Sequence, residues 1–115
     1  MTVTGVIPAR YGSTRYPGKP LVNILGKSMI QRVYEQCSKC QELNSVIVAT
    51  DDNRILNHVL EFGGEAVMTS KKHQTGTERC NEILNTLSLN TDILINIQGE
   101  FFDFVYFLNQ NDKYL

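Results

Sequence analysis

Four short apolar runs, separated by longer segments whose apolar residues repeat at helical spacing, constrain the fold of this chain more than any other feature. The runs lie at residues 3–8, 45–50, 65–68 and 92–97. They are mostly continuous rather than alternating, which is typical of strands buried on both faces. Strands of this kind that alternate with helices predict an α/β fold, in which helices cover both faces of a parallel sheet.

Start and stop signals predict three helices between these strands. Ser, Thr and Asp side chains stand where they can accept hydrogen bonds from the free N–H groups of helix starts. A glycine pair after the second helical segment is typical of a left-handed helix end. The predicted boundaries are Ser28 capping Met29 to about Cys40, Thr50 or Asp51 capping a helix that ends at Gly63 and Gly64, and Thr77 capping a helix to about Leu87.

The first strand is followed by a long loop that is rich in cations. Residues 9–27 contain too many glycines and prolines for a helix or a regular strand. Arg10, Arg15 and Lys19 crowd together here, with the Ser13 hydroxyl between them. Arginine binds phosphate oxygens with two N–H groups, lysine supplies a compact charge, and glycine lets backbone N–H groups approach. The pattern indicates a polyphosphate site, and a solvated basic surface loop is the alternative.

Two commoner phosphate loops are excluded. A dinucleotide fingerprint needs G-x-G-x-x-G leading directly into a helix, and the chain has no such run. A P-loop needs a glycine where Ser13 stands, and a hydroxyl residue where Pro20 follows Lys19. The loop therefore belongs to another class of phosphate site.

The bulk composition narrows the setting. A net charge of -1 gives no electrostatic support for a nucleic-acid partner. No apolar run is long enough to span a membrane, and the N-terminus lacks a signal-peptide layout. Three cysteines, Cys37, Cys40 and Cys80, are an odd set that predicts a reducing compartment, so we expect a cytoplasmic protein.

Several reactive-looking residues have simpler interpretations. The C-x-x-C pair lies on the apolar period at a helix end without a second ligand pair, which favours core packing over redox or zinc chemistry. His58 is expected at the surface or edge of a helix, and His73 within a loop. Asp51 and Asp52 stand before a helix, so capping is a simpler role for them than metal binding.

Four motifs in order resemble the N-terminal half of the 3-deoxy-manno-octulosonate (KDO) cytidylyltransferases. Together they are far more specific than any one alone. Residues 7–21 resemble the opening of that family, 47–52 its second strand, 68–69 with 73–79 its base-binding loop, and 96–99 the start of its Asn-Ile-Gln-Gly-Asp-Glu-Pro motif.

The resemblance implies a Rossmann-like nucleotidyltransferase fold, the nucleotide-diphospho-sugar transferase fold, as a parallel-sheet α/β/α sandwich that is C-terminally truncated here. Residues 1–99 would form the N-terminal nucleotide-binding half, and 100–115 a divergent aromatic-rich tail that follows a truncation or a frameshift. The implied reaction joins KDO to CTP with Mg²⁺ as cofactor, giving CMP-KDO and pyrophosphate for lipopolysaccharide biosynthesis. A homodimer is expected in the family, with its interface largely in the C-terminal half.

The resemblance also assigns roles position by position. Lys19 would offset charge as pyrophosphate leaves, Gln98 would face the sugar, and Glu100 would take the place of the family's Mg²⁺-ligating aspartate. Glutamate is one methylene longer than aspartate, which suits the strict geometry of Mg²⁺ less well. The triphosphate would contact Arg10, Ser13, Arg15 and Lys19, of which Arg10, Arg15 and Lys19 are the catalytic candidates, and the cytidine pocket would be lined by Pro8, Ala9, Gly76, Thr77 and Arg79.

Two other functions are open at this point. One is a cytidylyltransferase for another sugar acid, such as sialic acid, although the run from 73 to 79 favours KDO. The other is a non-catalytic nucleotide-binding remnant. Pyrophosphate release that depends on CTP separates the remnant from either enzyme.

Overall fold

The computed structural model describes residues 2–12, 16–72, 76–86 and 91–97. Within them the main sheet contains four parallel strands, β1 (Val3–Ala9), β4 (Ser45–Thr50), β5 (Ala66–Met68) and β6 (Ile93–Asn96). Their order across the sheet is β5-β4-β1-β6. A small antiparallel hairpin is formed by β2 (Asn23–Ile24) and β3 (Lys27–Ser28). The helices are α1 (Met29–Ser38), α2 (Asn53–Glu61) and α3 (Gly76–Thr86), with a short 3-10 turn at Lys19–Leu21.

Both faces of the sheet are covered, because successive strand residues point to opposite sides and nearly all of β1 and β4 is buried. Helices α1 and α2 cover one face, where Val48, Ile55 and Val59 are fully buried in the larger core cluster. Helix α3 covers the other face, where Ile83 packs on Val6 and Ala49. The predicted α/β fold with a parallel sheet between helices is confirmed.

Two of the predicted helix boundaries are confirmed. Ser28 caps α1, since its Oγ accepts a hydrogen bond from the backbone N–H of Gln31 at 3.2 Å. Gly63 ends α2 with a φ of 87°, a left-handed conformation that glycine adopts without steric cost.

Among the remaining cap predictions, the one for Asp52 is confirmed, and those for Thr50, Asp51 and Thr77 are wrong. Asp52, and neither Thr50 nor Asp51, caps α2 by accepting a hydrogen bond from the N–H of Arg54 at 2.8 Å. Thr50 is the fully buried last residue of β4, and the carboxylate of Asp51 is paired with an arginine of α3, so neither is placed to cap. Helix α3 begins at Gly76, which puts Thr77 inside its first turn rather than at its cap.

The turn of the β2–β3 hairpin holds a leucine in a left-handed backbone conformation, which is unfavourable for a residue with a side chain. Leu25 and Gly26 have φ values of 52° and 95°, a pair of positive angles that hairpin turns usually fill with Asn-Gly. Leu25 is 95% exposed, so no packing compensates for the left-handed backbone. The guanidinium of Arg32 holds the turn by donating to the carbonyl of Leu25 at 2.8 Å.

We expect Leu25→Asn to stabilise the fold by about 0.5–1 kcal/mol, because asparagine tolerates the left-handed region better than leucine. Urea unfolding followed by circular dichroism measures the change. Leu25→Ala is the matched control, since alanine also removes the exposed side chain but gains nothing in the turn. Equal stability of the two variants would contradict the interpretation.

Candidate functional site

Three loops meet at the carboxyl edge of the sheet. Ala9, Thr50 and Met68 are the last residues of β1, β4 and β5, and they pair side by side across the three strands. The loops that follow these strands therefore lie together at one edge of the sheet. In open parallel sheets ligands bind outside this edge.

In the loop after β1, two of the three predicted cations flank one backbone hydrogen bond. The backbone N–H of Gly18 donates to the carbonyl of Tyr11 at 2.7 Å, which joins the two ends of the loop. We call this contact the Tyr11–Gly18 junction. Arg10 stands just before it, with Nη2 3.4 Å from the carbonyl oxygen of Gly12, and Lys19 stands just after it at the start of the 3-10 turn. This arrangement allows the positive charges of Arg10 and Lys19 to bind the same anionic ligand.

The remaining predicted site residues are only partly described. Ala9 is buried and Pro8 half-buried at the end of β1, next to the loop. Gly76 and Thr77 lie in the first turn of α3. The other predicted ligand contacts lie outside the described residues: Ser13, Arg15, Gln98 and Glu100.

The aromatic ring of Tyr11 is covered by an arginine that the sequence analysis did not single out. The guanidinium carbon of Arg54 lies 3.3 Å from the centroid of the ring. The same guanidinium donates to both carboxylate oxygens of Asp52, at 3.1 and 2.8 Å. These hydrogen bonds hold the pKa of Asp52 below its ordinary value. No local pattern signals the contact, because it joins α2 to a loop far earlier in the chain.

Arg79 is a buried link between α3 and the ends of two strands. Its side chain is 1% exposed, and its Nη2 donates to Oδ2 of Asp51 at 3.3 Å. Its Nη1 donates to Oγ1 of Thr69 and, at 3.2 Å, to the carbonyl of Ser70. The resemblance assigns Arg79 to the cytidine pocket. In the fold its guanidinium lies beneath the loops after β4 and β5, where it fixes their positions.

An open cleft of about 470 Å³ lies between these two loops. A cleft of this size is in the range of small-molecule sites. The lining combines carboxylates and cations from both loops and from the start of α2. It is formed by Asp51, Asp52, Asn53, Arg54, Met68, Thr69 and Lys71. Because Arg54 also covers Tyr11, the cleft adjoins the loop after β1.

The other reactive side chains have structural roles. Cys37 is fully buried in the core, and burial raises the pKa of its thiol to about 12, which confirms the packing interpretation. Cys40 is a half-buried free thiol. His58 is half-buried, as expected for a helix edge, with its Nε2 2.5 Å from Oγ of Ser28. His73 lies outside the described residues.

These observations define a Rossmann-like α/β domain with a cation-bearing loop after one of its two inner strands. The family profile described as "Cytidylyltransferase" matches residues 4–102. The chain therefore belongs to the cytidylyltransferase family.

Curated relatives and a solved structure agree with this assignment. The 3-deoxy-manno-octulosonate cytidylyltransferase of Chlamydia felis is 54% identical over 96 residues, which are 84% of this chain and 38% of that protein. The protein of the same name from Parabacteroides distasonis is 55% identical over 100 residues, which are 87% of this chain and 39% of the relative.

The solved structure of a CMP:2-keto-3-deoxy-manno-octonic acid synthetase complexed with CTP superposes with a TM-score of 0.80 at 43% identity. The superposition covers 98% of this chain and 48% of that one. This confirms the predicted nucleotidyltransferase fold. The chain spans about two fifths of the length of the curated relatives it matches.

Two further observations concern the described residues. Among the described residues, no helix is long and apolar enough to cross a membrane. The same residues contain no group of three or more His, Cys, Asp or Glu side chains that would hold a metal ion.

Proposed function

We propose that the chain supplies the CTP site of a KDO cytidylyltransferase, the enzyme that transfers CMP from CTP to KDO. The observation that carries the proposal is the cationic loop at the carboxyl end of β1, which lies inside the family match. The relatives named KDO cytidylyltransferase and the solved synthetase with CTP support the choice of ligand. CTP binding is the first activity to test, and transfer to KDO is the second.

The chemistry follows from charge and position. The anomeric hydroxyl of KDO loses its proton as its oxygen attacks the α-phosphorus of CTP. The bond from that phosphorus to the oxygen of the β-phosphate breaks, and pyrophosphate leaves. Arg10, Ser13, Arg15 and Lys19 hold the triphosphate, and Lys19 offsets the charge that grows on pyrophosphate. Catalysis of this kind depends mainly on orientation and charge neutralisation.

The base and the sugar occupy neighbouring positions in the proposal. Pro8, Ala9, Gly76 and Thr77 line the cytidine pocket, and Gln98 faces KDO. Arg79 serves the same pocket, and its burial supports a positioning role there.

Mg²⁺ would offset further triphosphate charge when bound. The described residues do not provide a ready set of ligands for it, since Asp51 is paired with Arg79 and Asp52 caps a helix and binds Arg54. Mg²⁺ often takes only one or two protein carboxylates together with substrate phosphates. Glu100, the residue proposed to bind it, lies outside the described part of the chain.

The proposal includes a setting for the reaction. CMP-KDO is an activated sugar acid, and its proposed use is in lipopolysaccharide biosynthesis. The proposed location is the cytoplasm, where CTP is made. A homodimer is the proposed assembly.

Calorimetric titration of the chain with CTP, with and without Mg²⁺, tests the proposal. We expect Lys19→Ala to weaken CTP binding by about 10- to 100-fold, since a hydrogen bond to a charged group contributes about 1.5–3 kcal/mol. Arg10→Ala is expected to act in the same direction. Parallel pyrophosphate-release assays with KDO and with sialic acid then identify the sugar.

Lys39→Ala is the matched control, because it removes the same charge at the end of α1, before β4 begins and away from the carboxyl edge. Its affinity for CTP is expected to equal that of the unmodified chain. A folded chain that binds no CTP, or equal losses in Lys19→Ala and Lys39→Ala, would contradict the proposal.

A further inference from the structure

We propose that Arg54 is a positioning residue for the phosphate-binding loop and acts through the ring of Tyr11 rather than on the ligand. This inference rests on the proposed function, which makes the loop after β1 the triphosphate site. The carrying observation is the cation–π contact, in which the guanidinium carbon lies 3.3 Å from the ring centroid. A distance this short puts the two groups in direct contact.

The arginine is held in place before it meets the ring. Its guanidinium donates to both oxygens of the Asp52 carboxylate, and that carboxylate is itself fixed as the cap of α2. Two parallel N–H to oxygen bonds set the plane of a guanidinium as well as its position. Arg54 therefore presents a fixed flat face to Tyr11 from the first turn of a helix that packs into the core.

Tyr11 transmits this constraint to both ends of the loop. Its carbonyl accepts the hydrogen bond of the Tyr11–Gly18 junction, and its ring lies close to Gly18. A Cβ added to Gly18 would stand 3.0 Å from Cε2 of that ring, so the fit leaves no room for a side chain. Arg10 and Lys19 flank the junction directly, and fixing Tyr11 fixes the backbone from which both cations extend.

A loop held in its binding geometry loses less conformational freedom when the ligand binds, and affinity rises accordingly. Arg54 is partly exposed and already paired with Asp52, so the cation–π contact is of the exposed kind. We expect its loss to weaken CTP binding by about 2- to 5-fold, less than the loss of a cation that contacts phosphate.

Four variants separate this mechanism from direct contact between Arg54 and CTP. Arg54→Ala and Tyr11→Leu are each expected to weaken CTP binding by about 2- to 5-fold, and the double variant no more than either one, because both remove the same contact. Tyr11→Phe keeps the ring and is expected to bind like the unmodified chain. Additive losses, or full affinity in Tyr11→Leu, would overturn the proposal.

A second measurement needs no ligand. Trypsin cleavage after Arg15, followed by mass spectrometry of the unliganded chain, reports how firmly the loop is held. We expect cleavage at this bond to be about 2- to 5-fold faster in Arg54→Ala and unchanged in Tyr11→Phe, with cleavage after Lys39 as the internal reference. An unchanged rate after Arg15 in Arg54→Ala overturns the proposal.

The two measurements distinguish the two proposals. Failure of the unmodified chain to bind CTP contradicts the proposed function, while the trypsin result still decides whether Arg54 holds the loop. Binding by the unmodified chain together with full affinity in Arg54→Ala contradicts only the positioning role.

Discussion

Arg79→Ala is expected to lower the free energy of unfolding by about 3 kcal/mol, a large share of the stability of a small domain. Arg79 is the largest fully buried side chain among the described residues. Its removal takes hydrogen-bond partners from Asp51, Thr69 and the carbonyl of Ser70 in a single step. The ends of β4 and β5 would then lose their link to α3.

The size of the effect follows from the burial of the pair. Breaking a buried ion pair by removing one partner costs about 3–5 kcal/mol, because the remaining charge is left without compensation. Asp51 keeps 17% of its side chain exposed, so water can solvate part of the abandoned carboxylate. The lower end of that range is therefore expected, with an additional contribution from the cavity.

Thermal and urea unfolding of Arg79→Ala, Asp51→Asn and the double variant measures the coupling. We expect the double variant to lose less free energy of unfolding than the two single variants together, since it leaves no charge unpaired. Lys27→Ala is the matched control because it breaks an exposed ion pair with Glu35, which contributes about 1 kcal/mol or less. Equal destabilisation by Arg79→Ala and Lys27→Ala would show that burial of the Arg79 pair has no special weight.

Most of the fold was predictable because its signals are local. The continuous apolar run of β4 and the helical period of α1 are read from neighbouring residues, and both elements form where the sequence indicated. The cap of α2 was not predictable in the same way. Asp51 and Asp52 are equally suited to capping on sequence alone. In the fold Asp51 is paired with Arg79 of α3, and Asp52 is the cap.

In the candidate site, too, local features were predictable and contacts between distant parts of the chain were not. Arg10 and Lys19 were found because their loop concentrates charge in one short stretch. Arg54 was not, because a cation on the polar face of a helix is ordinary and its partner ring lies in a different part of the chain. The resemblance identified Arg79 as a site residue, but only the fold reveals that its guanidinium is buried beneath two loops.

The largest expected effect on catalysis comes from adding the segment of the relatives that lies beyond their match to this chain. A hybrid would join residues 1–99 of this chain to the segment of the Chlamydia felis relative that follows its matched region, since the match spans 38% of that protein. Pyrophosphate release that depends on both CTP and KDO is expected to be about 100-fold or more faster in the hybrid than in the 115-residue chain. Orientation of two substrates in one site contributes on the order of 7–11 kcal/mol, and a surface that holds only one of them forgoes most of it.

The structure indicates where the added segment would act. Among the described residues, β6 has β1 as its only neighbour, and Ile93 and Ile95 on it are 41% and 42% exposed. A sheet edge of this kind is the natural place for further strands to pair. Lys19→Ala in the hybrid is expected to remove most of the gain, whereas Lys39→Ala leaves it intact, which ties the activity to the loop after β1. A hybrid that is folded, binds CTP and releases no pyrophosphate with KDO would leave CTP binding as the only function of these residues in the proposed reaction.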